Sequence, residues 1–369
     1  VIRFLLGALA VLGSSAEARV LDRVGPAAAL AALDRSGFAG RVLVARGDRI
    51  VMRAEFGEPR GVPDTRPNEQ GRFGDNMIWP WASVTKQVLA TLVMQEVARG
   101  RIALDVPAAR YVPALGQARS PTIRQLLQHQ SGLRNPDDTA VDTLSFAWKG
   151  KPGFYSIGPT GVTWCVAARS VPGGRWRYNN CDYIVLGAVL ERVTGRTMAA
   201  LFRERIAAPL ALKASAFAGD RSGQRNPWVE SFYAGPRRDE LSILARFGAA
   251  GGLMGTEDDL LAFDRGLLSG KLLPAPARAT MWAADPKLGY MALGQWVFEA
   301  PLRGCAKPLR IVERRGEIGR FEVRNILLPD RDMAIIAFTN LAGFDFGEIW
   351  QGKGLSYELL SAVACGTPS

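Results

Sequence analysis

Ser83-Val84-Thr85-Lys86 constrains this chain more than any other stretch, because it sets a hydroxyl and an amine three residues apart at the start of a helical pattern. Leu89, Leu92, Val93 and Val97 follow at helical spacing, which predicts an amphipathic helix, and Gly100 stands where a C-terminal cap belongs. Residues three apart on a helix share a face with Cβ atoms roughly 5–6 Å apart, so the Lys86 amine comes within hydrogen-bonding reach of the Ser83 hydroxyl. Lysine is electrostatically unwelcome in a first helical turn, so a simple N-cap followed by a solvated charge is the weaker account. The same position gives Ser83 unpaired backbone amides, which favour negative charge developing at an attacked carbonyl. Alone, Ser-x-x-Lys carries little weight, and the rest of the chain must supply the context.

A serine hydroxyl needs a base to become a nucleophile, and the usual base is an imidazole. This chain has one histidine, His129. A lysine or a tyrosinate must then do that work if Ser83 is a nucleophile. Tyr178-Asn179-Asn180 follows a glycine-rich turn, Pro172-Gly173-Gly174, and precedes a helical stripe of Leu186, Val189, Leu190 and Val193 closed by Gly195. Tyr178 and Asn180 thus sit at a helix entrance, where the phenol can pass a proton and the amide can hold Lys86 and donate to a substrate carbonyl. His129 reads as structural. It falls in the last turn of a short helix with Ser120 as N-cap, Pro121 at the first position, Ile123, Leu126 and Leu127 inward and Gly132 as cap, where partial positive charge suits the helix end.

With these residues in place, the chain resembles the serine β-lactamase and penicillin-binding superfamily in its class C branch. That branch also holds D-Ala-D-Ala carboxypeptidases, D-aminopeptidases, oligomer amide hydrolases and family VIII esterases. The resemblance runs over nearly the whole chain beyond the N-terminal stretch. It includes Thr122 to Leu133, Gly251-Gly252-Leu253 leading to Thr256-Glu257-Asp258-Asp259, and Leu327 to Asn340. The class A partner motif Ser-Asp-Asn is absent, and so is the Gly-x-Ser-x-Gly elbow of α/β-hydrolases. Counting back from Gly319-Arg320-Phe321 puts Arg314-Arg315-Gly316 where the family carries Lys-Thr-Gly or His-x-Gly. Arg314 keeps a permanent charge, which suits a forked grip on a substrate carboxylate but not proton exchange near neutrality. Gly316 permits close backbone approach, and the resemblance implies an oxyanion hole from the amides of Ser83 and Glu317. The altered motif bears on β-lactamase activity more than on hydrolysis itself.

The resemblance implies an α/β (α+β) fold of the β-lactamase/transpeptidase-like kind: an antiparallel sheet flanked by N- and C-terminal helices, with an inserted, mostly helical lobe. Ala27 to Leu33 reads as a helix. Arg41 to Ala45 and Arg49 to Ala54 read as strands around a Gly47-Asp48 turn. Gly294 to Phe298, Arg310 to Arg314, Phe321 to Leu328 and Asp332 to Phe338 have strand composition, and Glu348 to Val363 reads as a closing helix. The expected division is residues 19–84 and 288–369 for the sheet lobe and 85–287 for the helical lobe, with the site in the cleft between them. Gly and Pro in Lys149 to Gly161 suggest a cleft rim.

At 369 residues and 48% hydrophobic, the chain is long and apolar enough for two packed lobes. Val1-Ile2-Arg3, the apolar run Phe4 to Leu12 and the small residues around Glu17 in Ala16-Glu17-Ala18 read as a signal peptide, residues 1–18, cleaved near Ala18/Arg19. A periplasmic or secreted protein with no stable membrane span is expected. Its formal charge of +11 survives removal of the leader, since Arg3 and Glu17 cancel. The arginines are scattered rather than massed with aromatics, so nucleic acid is not an expected partner, and the charge reads as a solvated surface favouring anionic envelope polymers. Four cysteines allow three pairings, of which Cys165 with Cys181 and Cys305 with Cys365 is expected. No Cys-x-x-Cys or histidine cluster offers zinc ligands, and no cofactor is expected.

The reading is therefore an exported, monomeric serine hydrolase forming an acyl-enzyme on Ser83. Lys86 and Tyr178 share the proton work, Asn180 positions a small-molecule or peptidoglycan-derived substrate, Arg314 takes its anionic end, and Gly316 and Glu317 line the strand. The substrate is an amide or ester: a D-Ala peptide, a β-lactam or a carboxylic ester. The alternative is a non-catalytic peptidoglycan- or penicillin-binding module on the same fold.

Overall fold

The computed structural model describes residues 26–57, 77–136, 161–167, 169–220, 244–318, 321–341 and 343–365. The expected leader, the Gly319-Arg320 pair and all of the expected rim but Gly161 lie outside the described residues. Helix α1 (Ala27–Arg35) leads into the hairpin of β1 (Gly40–Arg46) and β2 (Arg49–Phe56), closed at Gly47-Asp48 with Gly47 at φ 53°. Only glycine takes that left-handed backbone without a side-chain cost, so the turn is fixed locally. Far along the chain come β6 (Trp296–Ala300), β7 (Leu309–Ile318), β8 (Phe321–Leu328) and β9 (Met333–Thr339). They join the first hairpin in one antiparallel sheet of order β2-β1-β9-β8-β7-β6. Three short strands, β3 (Trp79–Pro80), β4 (Ala216–Phe217) and β5 (Leu253–Gly255), form a second sheet in the order β3-β5-β4.

Between β3 and β6 the described residues are mostly helical. The elements that matter to the site are α2 (Thr85–Ala98), α3 (Ile123–Leu127), α4 (Val162–Val166), α5 (Asn180–Thr194) and α6 (Glu257–Leu268). The described chain closes on α7 (Leu355–Cys365). Strand alternation sends Val42, Val44, Ile326 and Ile335 toward α1 and α7, and Leu43, Val323, Leu327 and Ile336 toward the helical segment. The sheet is therefore buried on both faces, and α2 lies deep in the larger core. Its residues Thr85 to Glu96 are all buried, so the amphipathic helix read from the sequence is covered all round. Its polar side chains find internal partners: Gln95 donates to the Leu272 carbonyl at 3.1 Å, and Glu96 pairs with Arg99 and Arg101.

Several boundaries differ from the sequence reading. The helix before His129 is capped by Thr122, not Ser120. Thr122 and Gln125 form a reciprocal capping box, while Ser120 accepts from the Ala109 amide at 2.9 Å. The expected closing helix breaks into a single turn at Ile349–Gln351 and then α7, because Gly352 and Gly354 take left-handed conformations at φ 67° and 87°. Strand β6 begins at Trp296, since Gly294 at φ 91° belongs to the turn before it. Both disulfides pair as expected, Cys165 with Cys181 joining α4 to α5, and Cys305 with Cys365 tying the β6–β7 connection to α7.

Candidate active site

Three elements meet at Ser83. The first is a single helical turn, Ala82–Val84, that leads directly into α2. Ala82 holds φ 45°, an uncommon conformation for a residue with a side chain, and Ser83 stays half-buried while Trp81 and Val84 are buried. Trp81 is fixed by its amide bond to the Leu253 carbonyl at 2.9 Å, and Thr85 accepts from the Leu253 amide at 3.1 Å. The second element is the entrance of α5. Asn179 caps it, its side chain accepting from the Cys181 amide at 2.8 Å and donating to the Leu133 carbonyl at 2.8 Å. That cap turns Tyr178 and Asn180 toward α2. The third element is β7, where a Cβ on Gly316 would lie 2.5 Å from the Trp81 carbonyl oxygen and 3.1 Å from the Ser83 amide nitrogen. No residue but glycine fits there without displacing the Ser83 turn.

The side chains converge closely. Ser83 Oγ lies 2.5 Å from Tyr178 Oη and 3.1 Å from Lys86 Nζ. Lys86, 0% exposed, also donates to Asn180 Oδ1 at 2.7 Å and to the Ala250 carbonyl at 2.6 Å. Tyr178 Oη donates to Asn180 Oδ1 at 3.2 Å. Two of the Lys86 partners can only accept, and the third, Ser83 Oγ, can accept or donate. The network is therefore satisfied with Lys86 either charged or neutral, which is what proton relay requires. Asn135, which the sequence reading passed over, fastens this entrance by donating to the Tyr178 carbonyl at 3.0 Å and accepting from the Asn180 amide at 3.4 Å. No local pattern singled it out, since its partners lie more than forty residues away in the chain.

His129 stands behind Tyr178, with ring centroids 4.8 Å apart, and outside this network. Burial, with the nearby charges of Arg314 and Lys86, pushes its ring well below the ordinary value, so it is neutral, contrary to the helix-end charge expected from sequence. Its backbone has left the helix, at φ 60°. The Asn179 amide donates to His129 Nδ1 at 3.2 Å, so that nitrogen is an acceptor. Asp182 Oδ2 lies 3.0 Å from the same nitrogen. Burial raises the Asp182 carboxyl well above its usual range, and Ser131 donates to its other oxygen.

Arg314 also differs from its expected placement. It is 0% exposed, its Nε donates to the Ser83 carbonyl at 2.9 Å, and its guanidinium carbon lies 5.6 Å from the Tyr178 ring centroid and 5.2 Å from that of Trp296. Its two terminal nitrogens are buried with no hydrogen-bond partner among the described residues. The strand's two-residue period carries Arg315 to the opposite face, where it binds Glu313 at 2.9 Å and Glu348 at 2.6 Å. Glu317 is exposed at the end of β7, directly across from Glu322 on β8.

The sequence matches the Beta-lactamase family over residues 27–354. Among characterised proteins, it is 31% identical over 195 residues to the esterase EstB of Burkholderia gladioli, a match covering 47% of this chain and 46% of that one. It is 24% identical over 323 residues to the D-alanyl-D-alanine-carboxypeptidase/endopeptidase AmpH of Escherichia coli K12, covering 81% and 78%. Among solved structures, a D-stereospecific amidohydrolase from Streptomyces superposes with a TM-score of 0.68 at 25% identity, over 93% of this chain and 99% of that one. A penicillin-binding protein from Bacillus halodurans shares the fold at the same TM-score and 19% identity, over 91% and 99%. The chain belongs to the β-lactamase family, as a serine hydrolase of its class C-related branch.

Proposed function

We propose that this enzyme hydrolyses an amide or ester bond through an acyl-enzyme on Ser83. The observation that carries the reading is the 2.5 Å approach of Tyr178 Oη to Ser83 Oγ, beside a buried Lys86. In this scheme Lys86 and Tyr178 hold one proton fewer than their full complement. The shorter contact makes the Tyr178 oxygen the acceptor when Ser83 Oγ adds to the substrate carbonyl carbon. The proton then passes from Tyr178 to the leaving oxygen or nitrogen as its bond to the carbonyl carbon breaks. Water attacks the acyl ester in the second half, giving a proton back by the same route to restore the Ser83 hydroxyl. The amides of Ser83 and Glu317 receive the carbonyl oxygen as it gains charge, and Gly316 brings the strand close enough for that. Asn180 holds Lys86 in place. Arg314 anchors the nucleophile turn through the Ser83 carbonyl and sets a positive charge behind the Tyr178 ring.

Relatives named as esterase, carboxypeptidase and D-aminopeptidase support an ester or a D-amino-acid amide as substrate. We also infer an oxidising compartment outside the cytoplasm. Two disulfides support it, since such bonds persist where thiols are not kept reduced. No helix among the described residues is long and apolar enough to cross a membrane.

Intact-protein mass after mixing with an activated ester or a reactive penicillin tests the nucleophile. A single acyl adduct on the wild-type chain, absent in Ser83→Ala, is expected, with the variant inactive and its thermal midpoint nearly unchanged. Normal turnover of the same ester by Ser83→Ala would sink the reading.

A further inference from the structure

Tyr178 stands outside α5, one residue before its cap, and the chain reaches it through an exposed stretch, Gly173 to Arg175. The first amides of a helix have no intrahelical partner, so a helix entrance is where the chain opens most easily. A group that takes a proton from Ser83 has to be held within about 0.5 Å of its working position. Something besides the helix must therefore fix Tyr178.

A closed circuit of contacts does so. The segment Leu133 to Asn135 grips the entrance from one side. Asn135 donates to the Tyr178 carbonyl at 3.0 Å and accepts from the Asn180 amide at 3.4 Å, and the Leu133 carbonyl accepts from the Asn179 side chain at 2.8 Å. The same segment is tied to α4 and to the chain beyond it. The guanidinium carbon of Arg134 lies 3.8 Å from the ring centroid of Trp164 in α4, Leu133 bridges to Arg169, and the Ser170 amide donates to the Gly132 carbonyl at 2.8 Å. The Cys165–Cys181 disulfide completes the circuit, because Cys165 follows Trp164 in α4 and Cys181 follows Asn180 in α5. Both cysteines are fully buried. The other disulfide, Cys305–Cys365, packs among the residues on the α1 and α7 side of the sheet and has no part in this circuit.

We propose that the Cys165–Cys181 disulfide is a positioning element of the active site, which holds the Tyr178 phenol on Ser83, so that the enzyme reaches its full rate only with this bond closed. The proposal rests on the Ser83 acyl-enzyme reading and adds a covalent support to it. Without the bond, Asn135 and the Asn179 cap still guide Tyr178 toward Ser83, but the phenol spends less time in reach of the hydroxyl. The chemical step slows while substrate binding is kept.

The test is steady-state hydrolysis of an activated aryl ester by the full chain, well below the thermal midpoint of each variant. Cys165→Ala with Cys181→Ala is expected to lower kcat about tenfold or more with KM little changed. Cys305→Ser with Cys365→Ser is the control, expected to lower the thermal midpoint and keep kcat. An unchanged kcat in the first pair, or the same fall in both pairs, would overturn the proposal. Tyr178→Phe separates positioning from general loosening. In that background, removing Cys165 and Cys181 is expected to cost less than about twofold more, because the oxygen that the bond places is gone. A further fall as large as in the wild type would also overturn it. If the alanine pair does not fold, Cys165→Val with Cys181→Ala, which refills part of the lost volume, takes its place in both comparisons. Failure of the acyl-enzyme reading shows separately, as a wild-type chain whose intact mass gains no adduct on Ser83.

Discussion

At the scale of single residues, Tyr178 lies closer to the Ser83 hydroxyl than Lys86 does, 2.5 against 3.1 Å, and in the proposed scheme this makes the phenol oxygen the proton acceptor. Tyr178→Phe keeps the ring against His129 and removes only the oxygen. Its kcat is expected to fall about 10²- to 10⁴-fold, the usual worth of a positioned acid–base group, with KM little changed, in steady-state ester hydrolysis. Loss of KM alone would assign the phenol to binding. Asp264 offers a separate test in the core. It is fully buried, accepts from Asn325 Nδ2 at 2.8 Å, and burial raises its carboxyl well above its usual range. A folded value above the unfolded one means the stabilising contribution is complete below about pH 3.9 and is lost as pH rises through the folded value. Asp264→Asn is therefore expected to match the wild type near pH 4 and to gain on it by about 1.4 kcal/mol per pH unit above that, until the folded value is passed. Thermal unfolding at pH 4 and pH 8 reads the difference, and a constant offset would count against it.

At the scale of elements, α6 is fastened to the first hairpin by charge. Glu257, 2% exposed in the first turn of α6, binds Arg41 of β1 at 2.6 Å and Arg53 of β2 at 2.8 Å, with Glu55 and Asp258 completing the group. Glu257→Ala leaves Arg41 buried with half its counter-charge, and a loss of about 3 kcal/mol is expected in urea unfolding. Activity in the surviving folded fraction should persist, because none of these residues reaches Ser83. The hairpin itself was readable in the sequence, since its strands alternate around a Gly-Asp turn. The ion group was not, since Glu257 lies 216 residues from Arg41. The start of α3 shows the limit of local reading differently: both Ser120 and Thr122 are plausible caps, and only Thr122 has a glutamine three residues on to complete the reciprocal bond.

At the scale of the molecule, the two ends of the described chain close one sheet, so a bond that pins the C-terminal helix acts on the whole. The Cys305–Cys365 disulfide spans 60 residues of sequence, and opening it frees α7 from the sheet's outer face. Replacing both cysteines by serine is expected to cost about 2–4 kcal/mol, read as a lower denaturation midpoint. An unchanged midpoint would show that packing of α7 alone suffices. The six strands of the large sheet, the Ser-x-x-Lys pair at a helix start and the Tyr-x-Asn at another are legible along the chain, because each is written in spacing, caps and turn residues within a few positions; the short sheet β3-β5-β4 is not. Where the long side chains go depends on the folded arrangement. The three-dimensional meeting of β7 with the Ala82–Val84 turn buries Arg314 against Ser83, and strand alternation carries Arg315 away to Glu313 and Glu348. Burial likewise made His129 neutral rather than charged. Those outcomes depend on desolvation and on partners distant in sequence, and neither is a property of a residue and its neighbours along the chain.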